Sequence, residues 1–323
     1  MSIAHGISRA GVIGAGQMGL GIAFVSAVHA KVPVLLHDRS SAQVKSGLAL
    51  FDKIISKDVS KGKLTSEAAK EARDRITVVD DLKGFRDADM VVEPLSSGVP
   101  SSAYSTFAVL HASSTTDHRA QAASENLAIK QGIFRTLSAE LSPKTILATN
   151  TSSISITKIA ASTIPEGKTA ADPEGKESAS RVVGLHFFNP VPVMSSATDP
   201  SFIASQKLVE LIAAVQTSEE TLKRARAYAT ACGKEVTYSK DVPGFVANGL
   251  LMPFINEAIM MLEKGIATRE DIDKTLKLGM NHPMGPLQLG DSKYRPSVLL
   301  ERMVDAQWYG KKSGKGFYDY PSQ

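Results

Sequence analysis

Cysteine is nearly absent: Cys232 is the single one in 323 residues, so no intramolecular disulfide framework can form, and a reducing compartment fits. A lone cysteine of this kind reads as a small buried apolar residue. No apolar run approaches the roughly 18 residues that a membrane-spanning helix needs. The stretch before Arg9 is too short for a signal or transit peptide, and the closing Tyr-Pro-Ser-Gln is not a peroxisomal tripeptide. A cytoplasmic protein with no membrane partner is therefore expected, with a mitochondrial location left open. An excess of charge of one sign is also lacking. The 37 basic and 33 acidic residues leave +4, too little to imply nucleic acid as a partner. His111 and His118 have no companions at metal-ligand spacing, so no metal is expected, and no internal repeat is found.

The length suggests two domains, and 43% hydrophobic residues is ample for packed cores. The most informative stretch begins at Val12: Val-Ile-Gly-Ala-Gly-Gln-Met-Gly follows a short apolar run and opens a helix with Met18, Ile22 and Val25 at helical spacing. Gly14 permits a sharp turn, Gly16 lets backbone approach a pyrophosphate, and Gly19 lets helix and strand pack closely. Alone, such a glycine pattern is weak. Its context strengthens it, because residues 31–38 form a second strand that ends in Asp38. Asp38 is placed to accept hydrogen bonds from an adenosine ribose and to repel a 2′-phosphate, which favours NAD over NADP; Arg39, directly after it, tempers that preference.

Helices are expected over 42–58 and 66–75. Between and around them lie Lys45, Lys53, Lys57, Lys61 and Lys63, either a solvated face or a seat for a phosphorylated substrate. Strands follow at 76–79 and 89–93. Residues 95–123, rich in Ser, Thr and Ala, read as a long loop. Leu127, Ile133, Phe134, Leu137 and Leu141 form one apolar helical face that ends before Pro143. A fifth strand over 145–149 runs into Asn150-Thr151-Ser152-Ser153, polar groups at the carboxyl end of a strand, where open α/β sheets bind ligands. A charged loop over 165–180 precedes a strand over 181–186 that ends in His186. After a polar run over 195–206 come a helix over 218–232, a β-like stretch over 235–238 and a hinge at 241–245. Helices are expected from there on, over 246–264, over 269–278 and near 298–304.

Several of these stretches match one family in its own order: Gly-Ala-Gly-Gln-Met-Gly (14–19), Ser-Glu-Asn-Leu-Ala-Ile-Lys (124–130), Asn-Thr-Ser-Ser (150–153) and His-Phe-Phe-Asn-Pro-Val-Pro-Val-Met (186–194). They continue with Lys-Leu-Val-Glu (207–210), Pro-Gly-Phe-Val-Ala-Asn (243–248), His-Pro-Met-Gly-Pro (282–286) and Lys-Lys-Ser-Gly-Lys-Gly-Phe-Tyr (311–318). Together they resemble the 3-hydroxyacyl-CoA dehydrogenase family, in particular its short-chain, 3-hydroxybutyryl-CoA type. The resemblance implies an NAD-binding Rossmann domain with a doubly wound sheet over 1–241 and an all-helical substrate and dimerisation domain over 242–323. It implies NAD-dependent, reversible oxidation of a 3-hydroxyacyl-CoA in fatty acid metabolism, by a homodimer.

By the same resemblance the catalytic residues are His186, the base; Glu210, which orients it; Ser152, which hydrogen-bonds the substrate oxygen; and Asn248, which reaches in from the helical domain. Gly14, Gly16, Gln17, Met18, Gly19 and Asp38 would hold the dinucleotide. Glu125, Lys130, Ser152, Asn189 and Lys312 would lie near its nicotinamide half. His282 reads as a loop residue before a proline turn.

The chain departs from the family pattern at 95–123 and 195–206, which read as insertions. A third departure follows residue 289, where a turn and helix are missing; Gly249 also replaces a basic residue. His186 and Glu210 stand 24 positions apart, so their pairing requires the second insertion to loop out. A rival expectation follows from these departures: a nucleotide-binding member of the family with impaired catalysis.

Overall fold

The computed structural model describes residues 5–94, 126–189, 191 and 207–289. The expected loop at 95–123, the run at 195–206, the chain after 289 and the helix near 298–304 lie outside the described residues, as do Glu125 and Lys312. Within them the chain falls into two compact units that meet in sequence at Phe245 and Val246.

Among the described residues the first unit is built on eight strands: β1 (Ala10–Ile13), β2 (Val34–His37), β3 (Ile76–Val78), β4 (Met90–Glu93), β5 (Ile146–Thr149), β6 (Val182–Phe187), β7 (Leu208–Ala213) and β8 (Glu235–Lys240). They form one sheet in the order β3-β2-β1-β4-β5-β6-β7-β8. Strands β1 to β6 pair in parallel, β7 is antiparallel to β6, and β8 is parallel to β7. The order reverses between β1 and β4, a switch point of the kind that opens a crevice at the carboxyl ends of the strands.

Side chains alternate across a strand, and here both faces are covered, so the strands read as continuous apolar runs. Val34, Leu36, Met90, Val92, Val183 and Leu185 enter one core with α1 (Gln17–Val28), α2 (Ser41–Ser60), α3 (Ser66–Asp74) and α7 (Glu219–Ala231). Their neighbours Leu35, Val91, Leu147, Val182 and Ile212 enter the other with α4 (Leu127–Glu140), α5 (Ile156–Ala161) and α6 (Pro173–Ser180). Cys232 is buried in the first core, where desolvation pushes its thiol up to about 12. The second unit packs α8 (Ala247–Glu263), α9 (Arg269–Gly279) and the short α10 (Pro286–Leu289) around Met252, Ile255, Ile259, Ile272 and Leu287. Among the described residues no helix is long and apolar enough to cross a membrane.

One local reading needs correction. Residues 165–180, expected as a loop, contain α6, opened by Pro173 in its first turn. A side chain at Gly175 would stand 2.0 Å from the Thr169 carbonyl oxygen, so the glycine that weakened the helical signal is what lets this helix pack. The polar run after β5 also continues into α5, whose first turn is capped by Ser155.

Asp241, placed in a hinge by the sequence, fixes the N-terminus of α5. Its Oδ1 accepts from the Ile156 amide at 2.9 Å, and its Oδ2 from the Thr157 amide at 2.8 Å and the Ser155 hydroxyl at 2.7 Å. Burial works to raise its carboxyl, but the bonds from Thr157, Ser155 and Ile156 outweigh burial and hold it below the ordinary 3.8. A depressed carboxyl stabilises the fold above its unfolded value, and the contribution is lost as pH falls through the folded one. Asp241→Ala should therefore cost about 1 kcal/mol in urea denaturation at neutral pH, the ordinary worth of a capping group. The difference from wild type should shrink as pH falls below 3.8; a pH-independent difference would contradict this role.

Candidate active site

The glycine turn forms as its spacing requires. Gly14 adopts φ +110°, a conformation side chains rarely adopt. A Cβ at Gly19 would lie 1.9 Å from the Gly14 carbonyl oxygen and 3.2 Å from Pro94 Cγ, so helix, turn and the end of β4 approach through that glycine. Gly16 differs: its backbone is ordinary, φ −70° and ψ 179°, and among the described residues a Cβ there would meet nothing within 4 Å. Among the described residues no contact requires glycine at that point, whereas a pyrophosphate lying against the backbone would. The first turn of α1 carries no acidic residue and no side-chain cap, leaving its amides to an anion. Gln17 is exposed and Met18 half-buried beside it. These residues fit the dinucleotide that the sequence implies.

Asp38 lies at the end of β2, half-buried. Its Oδ2 accepts from the Ala15 amide at 2.8 Å and its Oδ1 from the Ser40 amide at 2.9 Å, which locks the turn to the second strand. A carboxylate offers about four acceptor positions, so capacity for a ribose hydroxyl remains. Lys45, Lys53, Lys57, Lys61 and Lys63 are all exposed on or just after α2.

At the other side of the switch point the antiparallel pairing of β6 and β7 sets His186 directly opposite Glu210. The carboxylate Oε2 is 2.7 Å from imidazole Nδ1. An ionised carboxylate can only accept, so the ring proton sits on Nδ1 and Nε2 is the basic nitrogen. Glu210 is 1% exposed and His186 8%, and the ring is near Phe188, at 4.6 Å, and Phe245, at 6.0 Å, centroid to centroid. The pair forms across the 24 positions that separate its members. Asn189 is exposed three residues further on.

Ser152 lies in the turn between β5 and α5, half-buried, next to Thr151, whose hydroxyl accepts from the Ser153 and Ile154 amides. Asn150 Oδ1 accepts from the Phe187 amide at 2.6 Å, tying the end of β5 to the residue after His186. Asn248 occupies the first turn of α8, in the second unit. Lys130, on α4, is 2% exposed and donates to both oxygens of Glu93 at the end of β4. The sequence had not singled out Glu93. Its signal was a carboxylate closing the wholly apolar Met90-Val91-Val92. Among the described residues no group of three or more His, Cys, Asp or Glu is placed to hold a metal ion.

A doubly wound sheet, a glycine turn shaped for a dinucleotide and a carboxylate-oriented histidine at the same edge define a nucleotide-dependent oxidoreductase. The model of the 3-hydroxyacyl-CoA dehydrogenase NAD binding domain matches residues 9–98 and 102–242, and that of the family's C-terminal domain matches 244–293 and 288–320. The probable 3-hydroxybutyryl-CoA dehydrogenase of Bacillus subtilis is 39% identical over 329 residues, which cover 96% of each chain. The 3-hydroxybutyryl-CoA dehydrogenase of Bradyrhizobium diazoefficiens is 37% identical over 334 residues, 97% of this chain and 96% of its own. The solved structure of (S)-3-hydroxybutyryl-CoA dehydrogenase from Ralstonia eutropha superposes with a TM-score of 0.77 at 34% identity, covering 98% of this chain and 100% of that one. The chain belongs to the 3-hydroxyacyl-CoA dehydrogenase family.

The two glycines give opposite expectations. Gly16→Ala should leave thermal stability within about 0.5 kcal/mol of wild type, because the added methyl meets open space, yet weaken NADH binding at least tenfold by fluorescence titration. Gly19→Ala should lower stability markedly, since its methyl meets backbone. Unchanged NADH affinity in Gly16→Ala would overturn the assignment of this turn.

Proposed function

We propose that this chain reversibly oxidises the 3-hydroxyl of a short-chain 3-hydroxyacyl-CoA, 3-hydroxybutyryl-CoA in the first instance, to the ketone with NAD, in fatty acid metabolism. The observation that carries the reading is the buried 2.7 Å bond between His186 and Glu210 at the edge of a dinucleotide-binding sheet. Bound NAD supplies the acceptor for the hydride that leaves substrate C3. His186 Nε2 takes the hydroxyl proton as that hydride departs, and returns it in the reverse direction. Glu210 keeps the ring in the tautomer with Nε2 basic and stabilises the imidazolium that forms, the division of labour of a histidine–carboxylate pair. Ser152 is assigned a hydrogen bond to the substrate oxygen, where charge develops.

Gly14, Gly16, Gln17, Met18 and Gly19 would hold the pyrophosphate, and Asp38 the adenosine ribose. Glu125, Lys130, Ser152, Asn189 and Lys312 would serve the nicotinamide half. On this reading residues 1–241 form the NAD-binding domain, and 242–323 the substrate domain through which a homodimer forms. The working location is the cytoplasm.

With acetoacetyl-CoA and NADH, His186→Gln should lower kcat by about 10²–10⁴ or more, the contribution of a general base, while NADH affinity stays within twofold. Glu210→Gln should also lower kcat, leaving both KM values largely unchanged. Turnover retained in His186→Gln would overturn the assignment of the base.

A further inference from the structure

Among the described residues the sheet's carboxyl edge holds a second buried charged pair besides His186 and Glu210. It is Glu93, fully buried at the end of β4, with Lys130, 2% exposed, on α4. Lys130 Nζ lies 2.9 Å from Glu93 Oε1 and 2.8 Å from Oε2, and the Thr149 hydroxyl donates to Oε2 at 2.9 Å. The carboxylate is thus fixed by side chains from two further elements, α4 and β5. A hydrophobic pair of the same volume would hold the sheet at least as well, so packing alone gives no reason for charges here.

Location supplies the reason. Strand β4 is the first strand beyond the switch point, next to β1, and Pro94 packs beside Gly19 of the glycine turn. In a doubly wound sheet the half of a dinucleotide beyond the pyrophosphate lies over this side. The Glu93 carbonyl accepts from the Asn150 amide at 2.8 Å, and the Asn150 side chain accepts from the amide that follows His186. The pair is therefore joined by two short polar links to the strand that carries the base.

We infer that Glu93 is a positioning residue: it fixes the Lys130 ammonium at the end of β4, where the nicotinamide half of the cofactor is bound. The inference rests on the proposed dehydrogenase reading only for the identity of the dinucleotide. Glu93→Gln keeps the side chain's size but removes its charge, and the double variant Glu93→Leu with Lys130→Met removes both charges without leaving either one buried alone. Affinities for NADH and for ADP, which carries only the adenine half, separate positioning from general damage.

Both variants should bind NADH at least tenfold more weakly than wild type and ADP within twofold. In turnover, Glu93→Gln should raise KM for NAD with little change in KM for the acyl-CoA. Unchanged NADH affinity in a folded variant, or equal losses for NADH and ADP, would overturn the inference. Wild-type protein that binds NADH but leaves 3-hydroxybutyryl-CoA unreacted would contradict the proposed reaction, and the NADH and ADP titrations would still decide the role of Glu93.

Discussion

A single antiparallel pairing sets an imidazole against a carboxylate at the edge of this sheet. Strands β1 to β6 run parallel, and β7 reverses against β6, placing His186 and Glu210 at directly opposed positions. Opposed residues in such a pair sit about 4.5–5.5 Å apart at Cβ, close enough for a carboxylate to bond an imidazole. A slip of one residue would send Glu210 to the other face, into the core beside Ile212. The apolar residues around the pair, Leu185, Phe187, Val209 and Leu211, are all buried and hold the register. Packing therefore specifies the contact: the hydrophobic pattern of two strands fixes which carboxylate meets the His186 ring.

The same economy governs the rest of the edge. The strands are largely apolar on both faces, and besides Glu210 within β7 several polar side chains sit at or near strand ends: Asp38 after β2, Glu93 on β4, Thr149 on β5, Asn150 just after it and His186 on β6. Each is satisfied by a partner on a neighbouring element, and those bonds tie the strand ends to one another.

The glycine turn, the first six strands, their approximate ends and the long helices were legible because they depend on short-range patterns: glycine spacing, alternation and one-sided apolar faces. His186, Glu210 and Lys130 could be named because motifs carried them. What was not legible is long-range or local in a way that hides periodicity. Glu93 and Lys130 are 37 positions apart, and no pattern in either segment announces the other. Helix α6 was missed because its glycine, unfavourable for a helix in isolation, is required by the approach of the Thr169 carbonyl. The antiparallel turn of β7 was not anticipated either, because strand direction is set by tertiary packing and leaves no mark in Leu-Val-Glu-Leu-Ile-Ala itself.

The most direct test is steady-state oxidation of NADH by the purified full chain with acetoacetyl-CoA, compared with free acetoacetate. Saturable turnover of acetoacetyl-CoA, with little or none of acetoacetate, is the predicted result. NADH binding without turnover of the thioester would contradict it.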